Sequence, residues 1–154
     1  PTKTSPDDVV LQPYFPDTPI MRYTKARYYD RMGIIDGHVG RIVSQLKEDG
    51  LLENTFVFYF GDHGGVMPRS KGYAYESGLH VPLVVRIPEN FKHLVDHKRG
   101  ARTDGFVSFI DFGPTVLNLA DIPLQREMPA RSLVPLMTGE ASHPEDRLIF
   151  SRRH

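Results

Sequence analysis

One stretch of the chain, residues 55–82, constrains the fold more than any other. It opens with a short run of β-branched and aromatic residues, 55–60, which stops at a glycine-rich turn. A run of this length and composition predicts a buried strand, and residues 83–87 predict a second one. Asp62 and His63 stand side by side directly after the first run. Because ligands bind outside the carboxyl ends of strands in open α/β sheets, this pair is predicted to lie at a functional site.

The residue types in this stretch fit the chemistry of a metal-assisted hydrolase. Asp62 supplies a carboxylate and His63 an imidazole, and the glycines beside them permit the sharp turn through which adjacent residues reach one ion. Lys71 supplies a compact cation that can neutralise a sulfate or phosphate oxygen and stabilise charge on a leaving group. From the spacing alone, a simple turn pair and a solvated lysine remain the alternative.

Four short motifs follow one another in this stretch. The order is a turn at Asp62-His63-Gly64, then Lys71, then Tyr75-Glu76-Ser77-Gly78, and last the polar His80 before Val81-Pro82. Together they resemble the sulfatase family, within the alkaline-phosphatase-like hydrolases. The resemblance extends over roughly residues 13–139. It implies an α/β fold with an alkaline-phosphatase-like sheet between helices, present here as a partial domain.

The resemblance also implies a role for each motif residue. Asp62 and His63 would bind a divalent metal ion, and Lys71 would bind substrate and act in catalysis. His80 stands where the family often carries arginine and would contact substrate, while Glu76 would anchor the loop by hydrogen bonds. The family position of His63 is often asparagine in calcium-dependent sulfatases. Calcium is therefore the expected metal, with zinc or manganese as alternatives because imidazole suits those ions better.

Other parts of the sulfatase machinery are expected outside this segment. The family's nucleophile is a formylglycine made from the first residue of a Cys- or Ser-x-Pro-x-Arg motif, and this sequence contains no cysteine. Residues 142–147 come close to the motif, but Asp146 occupies the arginine position. The segment also follows the Asp62-His63-Gly64 turn, whereas the family motif precedes it. We therefore expect residues 1–154 to be the later part of a catalytic domain, inactive and poorly stable without the remainder of that domain.

Within this segment, residues 1–19 are predicted to form an extended loop and residues 20–154 the α/β part. Apolar residues recur at steps of three and four over residues 24–49, which predicts a helix with Thr24 as its N-cap. Gly50 fits the left-handed position after the helix end. Three glycines inside this helix favour close packing against a neighbouring backbone; they are Gly33, Gly37 and Gly40.

The last third of the chain contains one more predicted helix and one more predicted strand. Asp111 is predicted to cap a helix that continues to Ala120, and Pro114 is tolerated in its first turn. Residues 132–139 match a Ser-Leu-x-Pro-Leu-x-x-Gly segment that sulfatases carry after such a helix, and residues 148–151 are predicted to form a strand.

The composition narrows the classes of function. Lys plus Arg and Asp plus Glu both total 19, so no strong field indicates a nucleic-acid partner. No apolar stretch approaches about 18 residues, so no membrane segment is expected. The lack of cysteine excludes disulfides and thiolate metal sites and leaves the compartment open.

The pattern as a whole predicts metal-dependent hydrolysis of sulfate esters or sulfamates, with a sulfated carbohydrate as the substrate class that the family makes commonest. The first alternative is a phosphonate monoester or phosphodiester hydrolase of the same superfamily. The second is a non-catalytic binding domain with the same fold, which the intact Asp62, His63 and Lys71 argue against.

Overall fold

The computed structural model describes residues 1–95, 100–103, 105–124, 128 and 130–140. Within it, the chain divides after Pro88 into two compact units. The strand predicted over 148–151 and the Ser-His-Pro segment at 142–147 lie outside the described residues.

The two units together contain both helices and strands, which confirms the α/β class. In chain order the first unit contains a 3-10 helix Pro6–Asp8, helix α1 Pro19–Glu48, a 3-10 helix Leu52–Asn54, strand β1 Val57–Phe60, helix α2 Glu76–Leu79 and strand β2 Leu83–Arg86. The second unit contains 3-10 helices Glu89–Leu94 and Phe109–Asp111, helix α3 Phe112–Leu119 and helix α4 Val134–Met137.

Helix α1 begins at Pro19, earlier than the sequence predicts. The Thr18 hydroxyl accepts a hydrogen bond from the Met21 amide at 3.3 Å, so Thr18 is the N-cap. Proline fits the first helical position because the N–H that it lacks would have no partner there. The predicted cap at Thr24 is wrong: this residue lies inside the helix, and its hydroxyl donates to the Ile20 carbonyl at 2.8 Å.

One carboxylate ties the N-terminal segment to α1. Asp30 accepts hydrogen bonds from the amides of Lys3 and Thr4, at 2.8 and 2.9 Å, and from the Thr4 hydroxyl at 2.8 Å. These hydrogen bonds lower the pKa of Asp30 below its ordinary value; the bond from the Thr4 hydroxyl has the largest effect, and the bond from the Lys3 amide lowers it further. The first residues of the chain are therefore fastened to the middle of the helix.

Much of the apolar face predicted for α1 is exposed. Met32, Ile35 and Ile42 are all exposed, and the buried residues of the helix, Lys25 and Ala26, lie near its start. A helix of 30 residues is about 45 Å long. It therefore extends well past the N-terminal segment, which contacts its first turns.

The glycines of α1 do not pack as the sequence predicts. A Cβ atom built on Gly33, Gly37 or Gly40 meets no atom within 4 Å among the described residues. The prediction of close backbone packing is therefore wrong for this part of the chain. Gly50, in contrast, has φ of 70°, as predicted for the residue after the helix end.

Strands β1 and β2 pair antiparallel, with Val57 opposite Arg86 and Phe60 opposite Leu83. The sequence predicts that both strands are buried on both faces, and this is wrong for the described chain: Phe60 is 43% and Val84 59% exposed. The reason is that each strand pairs only with the other in the described sheet, so both are edge strands.

In the second unit, two buried polar residues connect α3 to the segment before α4. The Thr115 hydroxyl donates to the Asp111 carbonyl at 2.6 Å and accepts from the Leu133 amide at 2.8 Å. The Asp111 carboxylate accepts from the amides of Ser108 at 3.0 Å and Arg131 at 3.2 Å. Asp111 does precede α3, but its side chain makes no capping bond to that helix, which corrects the prediction.

None of the described helices combines the length and the apolar character of a membrane span.

The position of the N-cap gives a direct test of the start of α1. Thr18→Ala should lower the free energy of unfolding of this region by about 1 kcal/mol and speed hydrogen exchange at the Met21 amide, because that amide loses its acceptor. Thr24→Ala is the matched control and should change the free energy by less than about 0.5 kcal/mol, since an exposed hydroxyl bonded to its own helix contributes little. Equal losses in urea denaturation for the two variants would contradict a helix start at Thr18.

Candidate active site at the end of strand β1

The turn after β1 brings a carboxylate and an imidazole together. Both side chains are exposed, and Asp62 Oδ2 lies 3.5 Å from His63 Nε2. His63 Nδ1 lies 2.8 Å from the Gly64 carbonyl oxygen, which can only accept a hydrogen bond. Nδ1 is therefore the protonated nitrogen of the neutral ring, and the lone pair of Nε2 is left on the side of the Asp62 carboxylate.

This arrangement fits two ligands of one metal ion. A backbone carbonyl that holds Nδ1–H is the usual second partner of a metal-binding histidine, because it fixes the tautomer with Nε2 free. Ligand bonds of about 2.0–2.2 Å place neighbouring donor atoms on one ion about 3 Å apart, close to the separation seen here. Among the residues that the structure describes, no third His, Cys, Asp or Glu joins Asp62 and His63 in a group that could hold an ion.

The Asp62-His63-Gly64 turn packs backbone to backbone against the Tyr-Glu-x-Gly stretch. The Gly64 amide donates to the Gly78 carbonyl at 3.1 Å. A Cβ on Gly64 would lie 2.2 Å from the Ser77 carbonyl oxygen, and a Cβ on Gly78 would lie 2.1 Å from the Tyr73 carbonyl oxygen. Both positions therefore require glycine for steric reasons, which explains why each motif contains one.

Two serines hold the loop between these motifs. The buried Ser70 hydroxyl donates to the Ser77 carbonyl at 2.7 Å, and the Ser77 hydroxyl donates to the Arg69 carbonyl at 2.6 Å. The family resemblance implies that Glu76 anchors this loop. In the structure the Glu76 carboxylate instead pairs with Nδ1 of His80, the residue directly after α2, at 2.5 Å.

Arg69 is a feature of the loop that no pattern in the sequence predicts. Its φ of 61° lies in the left-handed region, which is unusual for a residue with a side chain. Its guanidinium carbon lies 4.9 Å from the ring centre of Tyr14 and 4.4 Å from that of Tyr75. Two cation–π contacts thus stabilise the loop just before Lys71 and connect it to the N-terminal segment.

Lys71 follows directly, with its backbone fixed and its side chain exposed. The Lys71 amide donates to the Gly65 carbonyl at 3.0 Å. Gly65 in turn lies under the Tyr28 ring of α1, since a Cβ there would be 2.9 Å from the Tyr28 hydroxyl oxygen. The loop therefore rests on α1 at Gly65, and the backbone of Lys71 is tied to the same point.

An open cleft of about 900 Å³ lies in the first unit, and residues of α1 and of the turn after β1 line it. Its lining includes three of the predicted site residues, Asp62, His63 and His80. Lys71 is not among the lining residues. The structure thus brings the two predicted metal ligands and His80 to one cleft, while Lys71 lies on the exposed loop that follows the turn.

Solved structures with a similar fold define the class of protein. A phosphonate monoester hydrolase from Silicibacter pomeroyi superposes with a TM-score of 0.68 at 30% sequence identity, over 94% of this chain and 28% of that one. A protein solved in complex with its substrate D-glucosamine-2-N,6-O-disulfate superposes with a TM-score of 0.69 at 23% identity, over 86% and 27%. The fold is that of the alkaline-phosphatase-like hydrolases, present here in part.

Sequence comparisons then give the family. The sulfatase family matches residues 5–122. An ulvan-active sulfatase from Formosa agariphila is 38% identical over 109 residues, which are 71% of this chain and 17% of that protein. The human N-sulphoglucosamine sulphohydrolase is 32% identical over 141 residues, 85% of this chain and 27% of that protein. The chain belongs to the sulfatase family, and it spans about a sixth to just over a quarter of the length of these relatives.

The close approach of Gly64 and Gly78 makes a prediction about stability. Gly64→Ala and Gly78→Ala should each lower the free energy of unfolding by more than about 2 kcal/mol, because the clashing atoms are backbone and cannot rotate away. Gly33→Ala is the control: it has open space and a helical position, so it should raise stability by up to about 1 kcal/mol. Denaturant unfolding of the three variants measures both signs, and a neutral Gly64→Ala would contradict the described packing.

Proposed function

We propose that the protein containing this segment is a metal-dependent sulfatase that hydrolyses sulfate esters or sulfamates on a sulfated carbohydrate. The observation that carries the proposal is the pair of ligand atoms, Asp62 Oδ2 and His63 Nε2, held 3.5 Å apart at the end of β1 in a chain of the sulfatase family. The names of two relatives support the substrate class: one is active on ulvan and the other acts on N-sulphoglucosamine.

Asp62 and His63 would supply two of the metal's ligands, and the other ligands and the formylglycine nucleophile would come from the remainder of the catalytic domain. The bound ion would polarise a sulfate oxygen as a Lewis acid. The chain's own contribution is orientation: the Gly64 carbonyl fixes the His63 tautomer, and the Gly64–Gly78 contact fixes the turn. Calcium is our first choice of metal, and His63 keeps zinc or manganese as alternatives.

Lys71 would neutralise negative charge on the sulfate and on the leaving oxygen. Its backbone is fixed at Gly65, and its exposed side chain is free of any ion pair among the described residues. A lysine with a fixed backbone and a mobile ammonium can reach a substrate anion without first breaking a salt bridge. His80 would contact the substrate from the wall of the cleft, held there by Glu76.

A second function, hydrolysis of phosphonate monoesters or phosphodiesters, is supported by the 30% identity to a phosphonate monoester hydrolase over 94% of this chain. A tetrahedral sulfate and a tetrahedral phosphonate present similar oxygens to the same ligands. The complete catalytic domain should therefore be assayed on an aryl sulfate and on the matching aryl phosphonate monoester. Faster turnover of the phosphonate would favour the second function, and turnover of neither would favour a non-catalytic role.

The metal ligands can be tested separately from the rate. In the complete domain, Asp62→Ala should remove most of the bound metal and the activity, since a carboxylate charge leaves the ion. Asp8→Ala, a change at an exposed aspartate remote in sequence, is the control. Metal content by mass spectrometry and activity on the aryl sulfate are the two readouts. Full occupancy and a normal rate in Asp62→Ala would rule out the proposed site.

His63→Asn reports on the identity of the metal. Asparagine offers a carbonyl oxygen where histidine offers nitrogen, so the variant should shift preference toward calcium and away from zinc or manganese. Activity is compared after exchange into each ion, with His93→Asn, an exposed histidine of the second unit, as the matched control. An unchanged order of metals would show that His63 is not a ligand.

Lys71→Ala should leave metal content unchanged and lower turnover by about a hundred- to a thousandfold. This corresponds to about 3–4 kcal/mol, the usual loss when one preorganised donor to a developing anion is removed. Lys47→Ala, at the exposed end of α1, is the control for a lost surface charge. A loss of less than about threefold in single-turnover rate would remove Lys71 from the proposed mechanism.

A further inference from the structure

The most unusual charged residue of the first unit is Lys25, on the second turn of α1. It is only 5% exposed. Its Nζ donates to Gln12 Oε1 at 3.2 Å and lies 5.5 and 5.3 Å from the ring centres of Tyr28 and Tyr29. Within the described residues Lys25 forms no ion pair. A buried ammonium is therefore surrounded by neutral partners.

Such an ammonium is electrostatically incomplete. It carries three N–H donors, and the Gln12 carbonyl oxygen satisfies one of them. Two aromatic faces contribute cation–π attraction, but charged groups are rarely buried unless a counter-charge accompanies them. Removal from water lowers the pKa of Lys25 below its ordinary value. An anion beside Nζ would restore the charged form and satisfy the remaining donors.

Lys25 lines the same cleft as Asp62 and His63. The same stretch of α1 adds two more cations to the lining, Arg27 and Arg31. Of the described lining residues, Asp62 is the only acidic one. Helix α1 thus contributes three cations to the cleft that also contains the predicted metal ligands. The cleft volume of about 900 Å³ also lies within the usual range of ligand sites, about 300–1,000 Å³.

We propose that Lys25 is the centre of a second anion-binding subsite, which binds a sulfate or carboxylate group of the substrate other than the group that is hydrolysed. This inference rests on the proposed function and deepens it: the preferred substrate is a saccharide with at least two anionic groups. Lys25 is a specificity residue in this scheme, because it contacts substrate away from the reacting sulfur.

The kinetic test compares two substrates that differ by one anionic group. The complete domain is assayed on a disulfated disaccharide and on the same disaccharide with a single, hydrolysable sulfate. Lys25→Met keeps most of the length of the side chain and removes the charge, and Lys25→Arg keeps the charge. Lys47→Met changes a lysine of the same helix that does not line the cleft. We expect Lys25→Met to raise KM for the disulfated substrate about tenfold with kcat nearly unchanged. The kcat/KM of Lys25→Met on the monosulfated substrate should stay within about twofold of the parent protein. Lys47→Met should stay within about twofold on both substrates, and Lys25→Arg should recover most of the loss in kcat/KM on the disulfated substrate.

Two results would overturn the inference while leaving the proposed function intact. Equal losses on both substrates, with a lower melting temperature, would show that Lys25 only stabilises the fold through Gln12 and the tyrosines. Unchanged kinetics on both would show that no anion binds there. If the parent protein hydrolyses neither sulfate, the proposed function itself fails.

A binding measurement gives a readout that does not need turnover. In an Asp62→Ala background, NMR of lysine labelled at Cε follows the titration of Lys25 with each disaccharide. The disulfated disaccharide should raise the pKa of Lys25 toward its ordinary value, because a bound anion favours the charged form. The monosulfated disaccharide should leave it where burial has placed it. Equal shifts with both, or none with either, would count against the subsite.

Discussion

The contact between the Gly64 and Gly78 backbones is the constraint on which the rest of the site depends. It brings the turn after β1 against the short helix α2, and no side chain fits between them. Gly64 also accepts the hydrogen bond that fixes the His63 ring, so the same residue sets both the path of the backbone and the tautomer of a predicted ligand. The geometry of the site is therefore determined first by backbone packing and only then by charge.

Helix α1 provides the support for this arrangement. Its Tyr28 ring covers Gly65, and its early basic residues line the same cleft as the turn after β1. The N-terminal segment is bound to the helix by the hydrogen bond from the Lys3 amide to Asp30, and it contacts the loop through Tyr14, whose ring lies against the Arg69 guanidinium. The N-terminal segment and α1, both far from the loop in sequence, thus hold it in place. This is why a loop with little regular secondary structure can present its polar groups in a defined arrangement.

The sequence predicts the local features of this molecule well and the through-space ones poorly. The strands, the turn at Asp62 and His63, and the left-handed Gly50 follow from patterns within a few residues, and the structure contains all of them. The start of α1 is misplaced because Pro19 suggests a loop, although proline suits a first helical turn. Strand burial is overestimated because composition reports apolar character and not the number of neighbouring strands.

The missed residues share a different reason. Arg69, Ser70 and Lys25 derive their importance from partners that lie several to many residues away in sequence, at Tyr14, Ser77 and Gln12. No local spacing rule indicates such pairs. Asp111 shows the same limit in the second unit: its position matches a helix cap, but its carboxylate binds an amide at Arg131, far along the chain.

The antiparallel pairing of β1 and β2 has a consequence for how this family could diversify. Since the Gly61 amide donates to the Pro82 carbonyl at 3.2 Å, the loop that contains the site leaves and re-enters the sheet at one point. The entropic cost of closing such a loop rises slowly with length, by roughly 0.6 kcal/mol for each doubling. Residues between the two glycine motifs could therefore be inserted or deleted without moving either strand. Evolution could reshape the substrate-facing surface there while the backbone lock beneath it stays constant.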